Sequence, residues 1–600
     1  MSVSEAAASS QPAIDFIHPD AVRAACAEMR LTAPLPHQAL SIARMLDVFV
    51  YRRLSTRAGG RGDELLTTSG SAARLARALA REPACGFLLT DGMGMGKTFQ
   101  AIATAVLLLT CEFEGAQPNA PLARVLVVLN SALIATWCEQ IARHWRDVDM
   151  KRDVFVYSGR NRLARMQSSP ARFVFSTYET LRADSVASAS ASAASASAAD
   201  DSQTSTSSAA ADVFCDVPWR LIIFDEVHKA RNGRRSGGGG GSGLWRTLRR
   251  FPSDVPKLGL TGTPVCNNMM ELCSIAQVIF KGHSVLSSEE FWSGYERHFT
   301  RDVLALLRGS ILLRRTLASE GIELPPRTDT DVAIVLDAGE KVAYREAHDR
   351  MERALADLID AGERHAPPFV VKVARDRYAS SVNALGLATC GASKLQEVVR
   401  ICAQIGVGEH GGRNERIVIV SRFVRVLESL RAELARAPET SAARVALFTG
   451  ALDWKARGAV VDSFRARELD VVLLSTMAGN EGVDFSCCQH LVLVDSASAP
   501  NPMTHEDQVV ARIYRIGQAK PSFIWRLIAV ATIDDAFAFE LHAQKRANAH
   551  ALLDMALGGG EEGRDEGNDE GGEDAGGETL FRSVTSTADL LRRAVRALAP

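Results

Sequence analysis

Short apolar runs of strand length recur along this 600-residue chain in two series. The first comprises GFLLTD (86–91), RVLVVLN (124–130), RFVFSTY (172–178), RLIIFDE (220–226) and PKLGLTGTP (256–264). The second comprises RIVIVSRF (416–423), RVALFTG (444–450), DVVLLST (470–476) and HLVLVDS (490–496). Stretches of helical spacing lie between them, for example 99–109 and 455–464. Apolar strands alternating with helices mark parallel sheets buried on both faces, because each crossover lays a helix over the sheet. The pattern predicts an α/β protein of two lobes with parallel sheets, and a largely helical insertion from about 270 to 401.

Three segments break the pattern. Residues 183–212 are Ala/Ser-rich, 231–243 contain GGGGGSG, and 558–577 are rich in Gly, Glu and Asp. None offers enough apolar surface to offset the entropy of ordering it, so all three are expected to be disordered. The expected organisation is an N-terminal extension over 1–30 and a nucleotide-binding lobe over 31–315 that carries the first two loops. A linker and helical protrusion follow over 316–400, then a second lobe over 401–555, an acidic tail over 556–579 and a terminal helix over 580–600.

Composition narrows the class. No stretch approaches the roughly 18 consecutive apolar residues of a membrane span. The first residues, MSVSEAAASSQPAIDF, lack the basic start and apolar run of a signal peptide. Eleven scattered cysteines form no CxxC pair, so neither zinc nor a disulfide framework is expected. The formal charge is −2, but 558–578 holds nine acidic residues and one arginine, a net of −8, which leaves −2 − (−8) = +6 for the rest. A mildly basic body is compatible with a groove that tracks phosphates.

Four motifs carry chemistry. DGMGMGKT, Asp91 to Thr98, follows an apolar strand and precedes a helix, the context a phosphate-binding loop requires. Glycines let backbone N–H groups curl around phosphate oxygens, and the helix N-terminus adds a favourable dipole. Lys97 is placed to neutralise the β- and γ-phosphates and Thr98 to ligate magnesium. Asp91 stands where a strict P-loop begins with Gly, which is the helicase variant. Asp225 and Glu226 end the run LIIF, ahead of Val227 and His228. A carboxylate at a strand tip of an open α/β sheet faces the phosphate site; Asp225 is expected to hold magnesium and Glu226 to activate water. LGLTGTPVCNN supplies Thr261, Gly262 and Thr263 as reporters of phosphate state, although alone it would pass for a strand-end turn. Downstream, Gln508, Arg512 and Arg515 in QVVARIYRIGQ share one helical face. Arginines there can meet charge on the γ-phosphate; with no P-loop upstream they would pass for a solvated basic face.

These residues, with LPHQALSIARML, VLVVLNSALIATW, FSTYETLR, DEVHKARN, LLRRTLASEGIELPPRT, LFTGALDWKARGAVVDSF and LLSTMAGNEGVDF in order, resemble the Swi/Snf-type helicase-like ATPases of helicase superfamily two. The resemblance runs from about 34 to 553. It implies two RecA-like lobes with helical insertions between them, ATP and Mg2+ as cofactors, and translocation on double-stranded DNA without sequence preference. By motif, it implies that Gln38 reads adenine, with Gly92, Gly94, Gly96 and Gly482 in the cofactor site. Ser131, Thr177, Thr449, Gly450, Ser475 and Thr476 would touch the DNA backbone; Gly482 and Asp484 would sit at the lobe interface; LLRRT would begin the linker. His228, Thr261, Gly262, Thr263 and Gln508 would couple nucleotide to track.

The chain also departs from that pattern. Gly92 stands where the family has Glu, and DSASAPNPMTHEDQ lacks the usual Trp before Asn-Pro. RIYRIGQ and GIELPPRT resemble the repair-translocase and transcription-termination branch, here without a RING insert. Nucleosomes or a polymerase are partners this implies, with the nucleus, or a viral replication compartment, as location. The rivals are a strand-separating helicase and a non-catalytic DNA-bound scaffold.

Overall fold

The computed structural model describes residues 17–51, 82, 85–110, 123–131, 133–197, 213–214, 217–231, 233, 243–262, 269–295, 307, 311–363, 367–408, 415–452, 454–476, 483–495 and 502–536. The acidic segment and terminal helix expected beyond 556 lie outside these residues, as do most of 231–243 and all of 198–212. Among the described residues no helix is long and apolar enough to cross a membrane.

Thirteen strands are described. They are β1 (Gly86–Leu89), β2 (Arg124–Leu129), β3 (Val154–Val156), β4 (Phe173–Thr177), β5 (Trp219–Asp225), β6 (Lys257–Leu260), β7 (Leu312–Leu313), β8 (Arg327–Ile334), β9 (Ile417–Ser421), β10 (Val445–Phe448), β11 (Val471–Ser475), β12 (His490–Leu493) and β13 (Ser522–Ala529). They form two sheets, ordered β3-β4-β2-β5-β6-β1-β7 and β10-β11-β9-β12-β13-β8, and every pairing is parallel. The nine runs expected as strands each hold one. Successive side chains of a strand point to opposite faces, and both faces are covered. Leu126 and Val128 of β2 join one core cluster, whereas Val125, Val127 and Leu129 join another. In the second sheet Ile417 and Ile419 face one core, and Val418 and Val420 face the other.

Four expectations change. The supposed helical insertion also carries strands: β7 closes the first sheet and β8 pairs along its whole length with β13 on the edge of the second. The helix Ala392–Ile405 sends Val398, Ile401 and Cys402 into the second lobe's core, so that lobe begins well before 401. The Ala/Ser segment is helical as far as Ser197. Its N-terminal turn is anchored by buried Tyr178 and Leu181, and alanine is the strongest helix former. The expected extension over 1–30 includes a helix, Pro19–Glu28, whose Val22 and Cys26 pack into the first lobe's core.

Candidate nucleotide cleft between the lobes

Strands of an open parallel sheet place ligands at their C-terminal ends, and the predicted residues collect there. A cleft of about 590 Å³ is lined by Gln38, Gly94, Gly96, Lys97, Thr98, Asp225, Glu226 and Gly262 from one lobe, and by Asp484, Gln508, Arg512 and Arg515 from the other.

The phosphate loop leaves β1 with Gly94 and Gly96 at φ 80° and 79°, a left-handed backbone that side-chain-bearing residues rarely take. A Cβ on Gly96 would lie 2.5 Å from Gln38 Nε2. Lys97 begins the helix Lys97–Thr110 and its Nζ donates to the carbonyls of Asp91 (2.8 Å) and Gly92 (3.1 Å). Burial pulls its pKa down, against Glu226, Asp91 and Asp225. Gln38 Nε2 donates to Met95 O at 3.3 Å and its Oε1 accepts from Leu35 N at 3.0 Å, so this residue also braces the loop.

Asp91 is fully buried and its carboxylate faces inward. Oδ1 accepts from the backbone N and Nε of Arg315, each at 3.1 Å; Oδ2 accepts from Arg315 Nη2 at 2.5 Å and Gln100 Nε2 at 3.4 Å. The same guanidinium donates to His37 O and Ser41 Oγ on the helix that carries Gln38. Asp91 therefore serves as a scaffold that ties the phosphate loop to Arg315. Gly92 N donates to Arg315 O at 2.7 Å, and a Cβ there would sit 3.3 Å from that oxygen, a tight contact. Arg314, its neighbour, donates to Thr90 O and Gly262 O at 3.0 Å each. LLRRT thus completes the site as it leaves the first lobe.

Asp225 and Glu226 end β5. Trp137 Nε1 donates to Asp225 Oδ2 at 2.7 Å, Glu226 N to Oδ1 at 3.1 Å, and Tyr178 Oη to Asp225 O at 2.6 Å. Burial and the adjacent Glu226 push Asp225 up to about 6. Glu226 moves the other way: burial opposes ionisation, but His228, Lys97 and Arg512 outweigh it. Glu226 also has φ 52°, a conformation that costs a side-chain-bearing residue about 1–3 kcal/mol and that clusters at functional sites. His228 Nδ1 lies 3.1 Å from both Glu226 Oε2 and Thr261 Oγ1, joining the tip of β5 to that of β6.

Arg512 lies on the helix Pro502–Ile513. Burial and neighbouring Arg515 lower its pKa to about 10 against the pull of Glu226 and Asp225, which belong to the other lobe. Arg515 Nη1 is 4.0 Å from Asp484 Oδ1, and a Cβ on Gly94 would come 3.1 Å from Arg515 Cβ. The cationic donors and the glycine cradle fit a polyphosphate. The carboxylates of Asp225 and Glu226, with the Thr98 hydroxyl, are hard oxygen ligands of the kind Mg2+ takes.

The residues expected at DNA sit on one half of each sheet. Ser131 follows β2, Thr177 ends β4, Thr449 and Gly450 follow β10, and Ser475 and Thr476 are at the end of β11. Ser131 and Gly450 are exposed, whereas Thr449 and Ser475 are buried. Thr263 and Gly482 lie outside the described residues. The sequence alone gives Trp137, Tyr178, Arg314 and Arg315 no individual role. They lie within recognised motifs, but the pairing of a buried arginine with a loop aspartate 224 residues away has no local signal.

Fold and cleft together define a two-lobed architecture in which charged side chains of both lobes line one cleft. The SNF2-related domain matches residues 62–376 and the helicase conserved C-terminal domain matches 393–517. The chain belongs to the SNF2-related family. It is 25% identical over 476 residues to chromodomain-helicase-DNA-binding protein 1-like of Danio rerio, covering 75% of this chain and 40% of that protein. It is 24% identical over 527 residues to DNA repair and recombination protein RAD54B of Mus musculus, covering 78% and 54%. The chain thus spans less than two thirds of each of these relatives. Among solved structures, a Sulfolobus solfataricus SWI2/SNF2 ATPase core in complex with dsDNA matches with 16% identity and a TM-score of 0.33, covering 90% of this chain and 97% of that one.

Proposed function

We propose that this chain is a DNA-dependent ATPase that translocates along double-stranded DNA. The observation that carries the reading is the split site: Lys97, Asp225 and Glu226 from one lobe face Arg512 and Arg515 from the other across one cleft. A bound Mg2+, held by Asp225 and Thr98, would supply charge neutralisation at the phosphates. The protein's own contribution is positional. Lys97 and the loop hold the phosphates, Gln38 abuts the base, and Glu226, kept ionised by His228 and the cations around it, accepts a proton from the attacking water. Arg512 and Arg515 stabilise charge that develops on the γ-phosphoryl group. Completing the site requires both lobes, so each cycle of closure shifts the strand tips at Ser131 and Thr177 relative to those at Thr449 and Ser475. Contacts to the phosphate backbone carry no base identity, so the motion is independent of sequence.

The relatives' names, from chromodomain-helicase proteins to a DNA repair and recombination protein, support a nuclear role in chromatin remodelling or repair, with nucleosomal or polymerase-occupied DNA as the substrate. Purified full chain should hydrolyse ATP slowly alone and clearly faster with duplex DNA. Equal rates with and without nucleic acid would sink the reading. Displacement of a third strand from a triplex, with no unwinding of a fork, is the expected motor behaviour; robust unwinding would identify a strand-separating helicase instead.

A further inference from the structure

The tip of β5 and the turn after it are held by three contacts, each from a residue close in the chain to a proposed DNA contact. Tyr178 follows Thr177 in the chain, and its hydroxyl donates to the carbonyl of Asp225 at 2.6 Å. Asn130 precedes Ser131, and its side-chain oxygen accepts from Lys229, within the turn that follows the DExH residues. The Lys229 ammonium also lies 5.3 Å from the centre of the Tyr178 ring. Trp137, on the helix Leu133–His144 that begins two residues after Ser131, donates to Asp225 Oδ2.

The carbonyl held by Tyr178 belongs to the peptide that joins Asp225 to Glu226. Its orientation sets the backbone of Glu226, which is left-handed at φ 52°. Tyr178 is thus placed to keep the water-activating carboxylate in a conformation it would otherwise leave. Thr177 meanwhile spends its hydroxyl on the same helix: Oγ1 accepts from Thr180 N at 3.0 Å and pairs with Thr180 Oγ1 at 2.9 Å. A DNA phosphate that accepts from the Thr177 hydroxyl competes with its pairing to the Thr180 hydroxyl and so perturbs the turn from which Tyr178 projects. We infer that the Tyr178 hydroxyl is a positioning group that transmits occupancy of the DNA track to Glu226, with Lys229 and Trp137 holding the same tip. This rests on the proposed function, and in particular on Ser131 and Thr177 facing DNA.

The test uses the full chain and Tyr178→Phe, which keeps the buried ring and removes one donor. Two quantities are measured. One is the ratio of ATPase rates with and without saturating duplex. The other is the factor by which duplex changes the affinity for a non-hydrolysable ATP analogue, which linkage requires to equal the factor by which the analogue changes affinity for duplex. Coupled sites commonly show a factor of about 5–150. The expected result is that both quantities fall at least about fivefold towards one, with the melting temperature and the affinity for duplex alone unchanged. Wild-type stimulation and coupling in Tyr178→Phe would overturn the inference. So would equal losses of basal and stimulated rates with the coupling factor intact, since that is what a purely structural hydroxyl produces. Should Tyr178→Phe fold poorly, Lys229→Met reads the same two quantities from a half-buried position beside the Tyr178 ring. A wild-type chain that shows no stimulation by DNA would sink the proposed function itself and is distinguishable from either result.

Discussion

In the first lobe, the charged groups of the cleft are tied to partners on other elements: Asp91 to Arg315, Asp225 to Trp137 and Tyr178, Glu226 to His228. In the second lobe, Arg512 reaches the cleft from the last turn of a helix, and Arg515, from beyond that helix, meets Asp484 at 4.0 Å with a quarter of its side chain exposed. Both lobes use the same parallel sheet with functional groups at the strand tips. What differs is where the partners lie: the first-lobe groups named above are held by residues of their own lobe, whereas Arg512 also feels the pull of Glu226 and Asp225 across the cleft. A site that must bind its ligand in the ground state gains from fixed donors, since no reorganisation is needed on binding. A group whose work begins in the transition state gains nothing from tight ground-state contacts. We propose that ground-state binding comes chiefly from the first lobe, through Lys97 and its loop, while Glu226 and the second lobe's Arg512 and Arg515 act mainly in the transition state.

The largest expected effects lie in the first lobe. Lys97→Ala removes the cation that faces the phosphates and should abolish both turnover and measurable ATP binding. Glu226→Gln should separate the two: turnover falls by about 10²–10⁴, the range of a lost general base, while ATP still binds. Filter binding of labelled ATP beside steady-state rates checks both. A Glu226→Gln protein with near-normal turnover would remove this residue from the chemistry. In the second lobe, Arg515→Ala should lower DNA-stimulated turnover by on the order of a thousandfold, as arginine fingers do, with ATP and DNA affinities little changed. Arg515→Lys should not restore the rate, because an ammonium lacks the planar donor fork. Loss of ATP affinity in step with turnover would erase the division between the lobes.

Two buried ion pairs sharpen the comparison at the level of stability. Arg315 pairs with Asp91 beneath the phosphate loop. Lys394 pairs with Asp534 at 2.6 Å inside the second lobe, where it also donates to Val494 O. Burial works against the charge on Lys394, but Asp534 more than compensates and its pKa is raised. Removing one member of a buried pair strands the other and costs about 3–5 kcal/mol. Lys394→Met should therefore lower the melting temperature without changing the KM for ATP among molecules that remain folded. Arg315→Met should lower stability and raise that KM, since Asp91, His37 and Ser41 all lose the same partner. Equal KM effects from the two substitutions would show that Arg315 is only a structural pair.

The sequence reveals most where the signal is local. Nine apolar runs marked nine strands, and the phosphate loop, the DExH tip and the RIYRIGQ arginines came from short contiguous motifs. What stayed hidden depends on long-range partners. β8, RTDTDVAI, is a polar edge strand exposed over most of its length, so no apolar run announces it; it exists because β13 offers it a full parallel ladder. Arg315 reads as an ordinary linker cation until the fold buries it against a loop 224 residues away. Motif position assigns Gln38 and Asp91 to the cofactor, and the structure adds that both brace the loop through hydrogen bonds within the protein.

The smallest effect is expected in the Ala/Ser segment, and the helix there decides where a deletion must begin. Asp184 accepts from Tyr157 Oη at 2.9 Å and pairs with Arg162, and Arg250 Nη1 donates to Ser185 O at 3.2 Å and lies 3.4 Å from Ser185 Oγ. These contacts fasten the first two turns of the helix to the lobe. Ala183, Val186 and Ala187 are exposed, and the composition beyond them supplies no side chain suited to a core. Removing 190–208 should therefore leave the DNA-stimulated rate within about twofold of wild type, as expected for excision of chain whose composition supplies no core. A cut that starts at Ser185 instead removes the partner of Arg250, whose hydrogen bonds contribute about 0.5–1.5 kcal/mol each, and should lower the melting temperature by a few degrees. Melting curves and ATPase rates for the two deletions, measured side by side, test the boundary. A collapse of folding or turnover in the shorter deletion would show that the distal part of the helix packs against something the first lobe needs, and the contacts that hold that lobe's groups would then extend beyond its cleft.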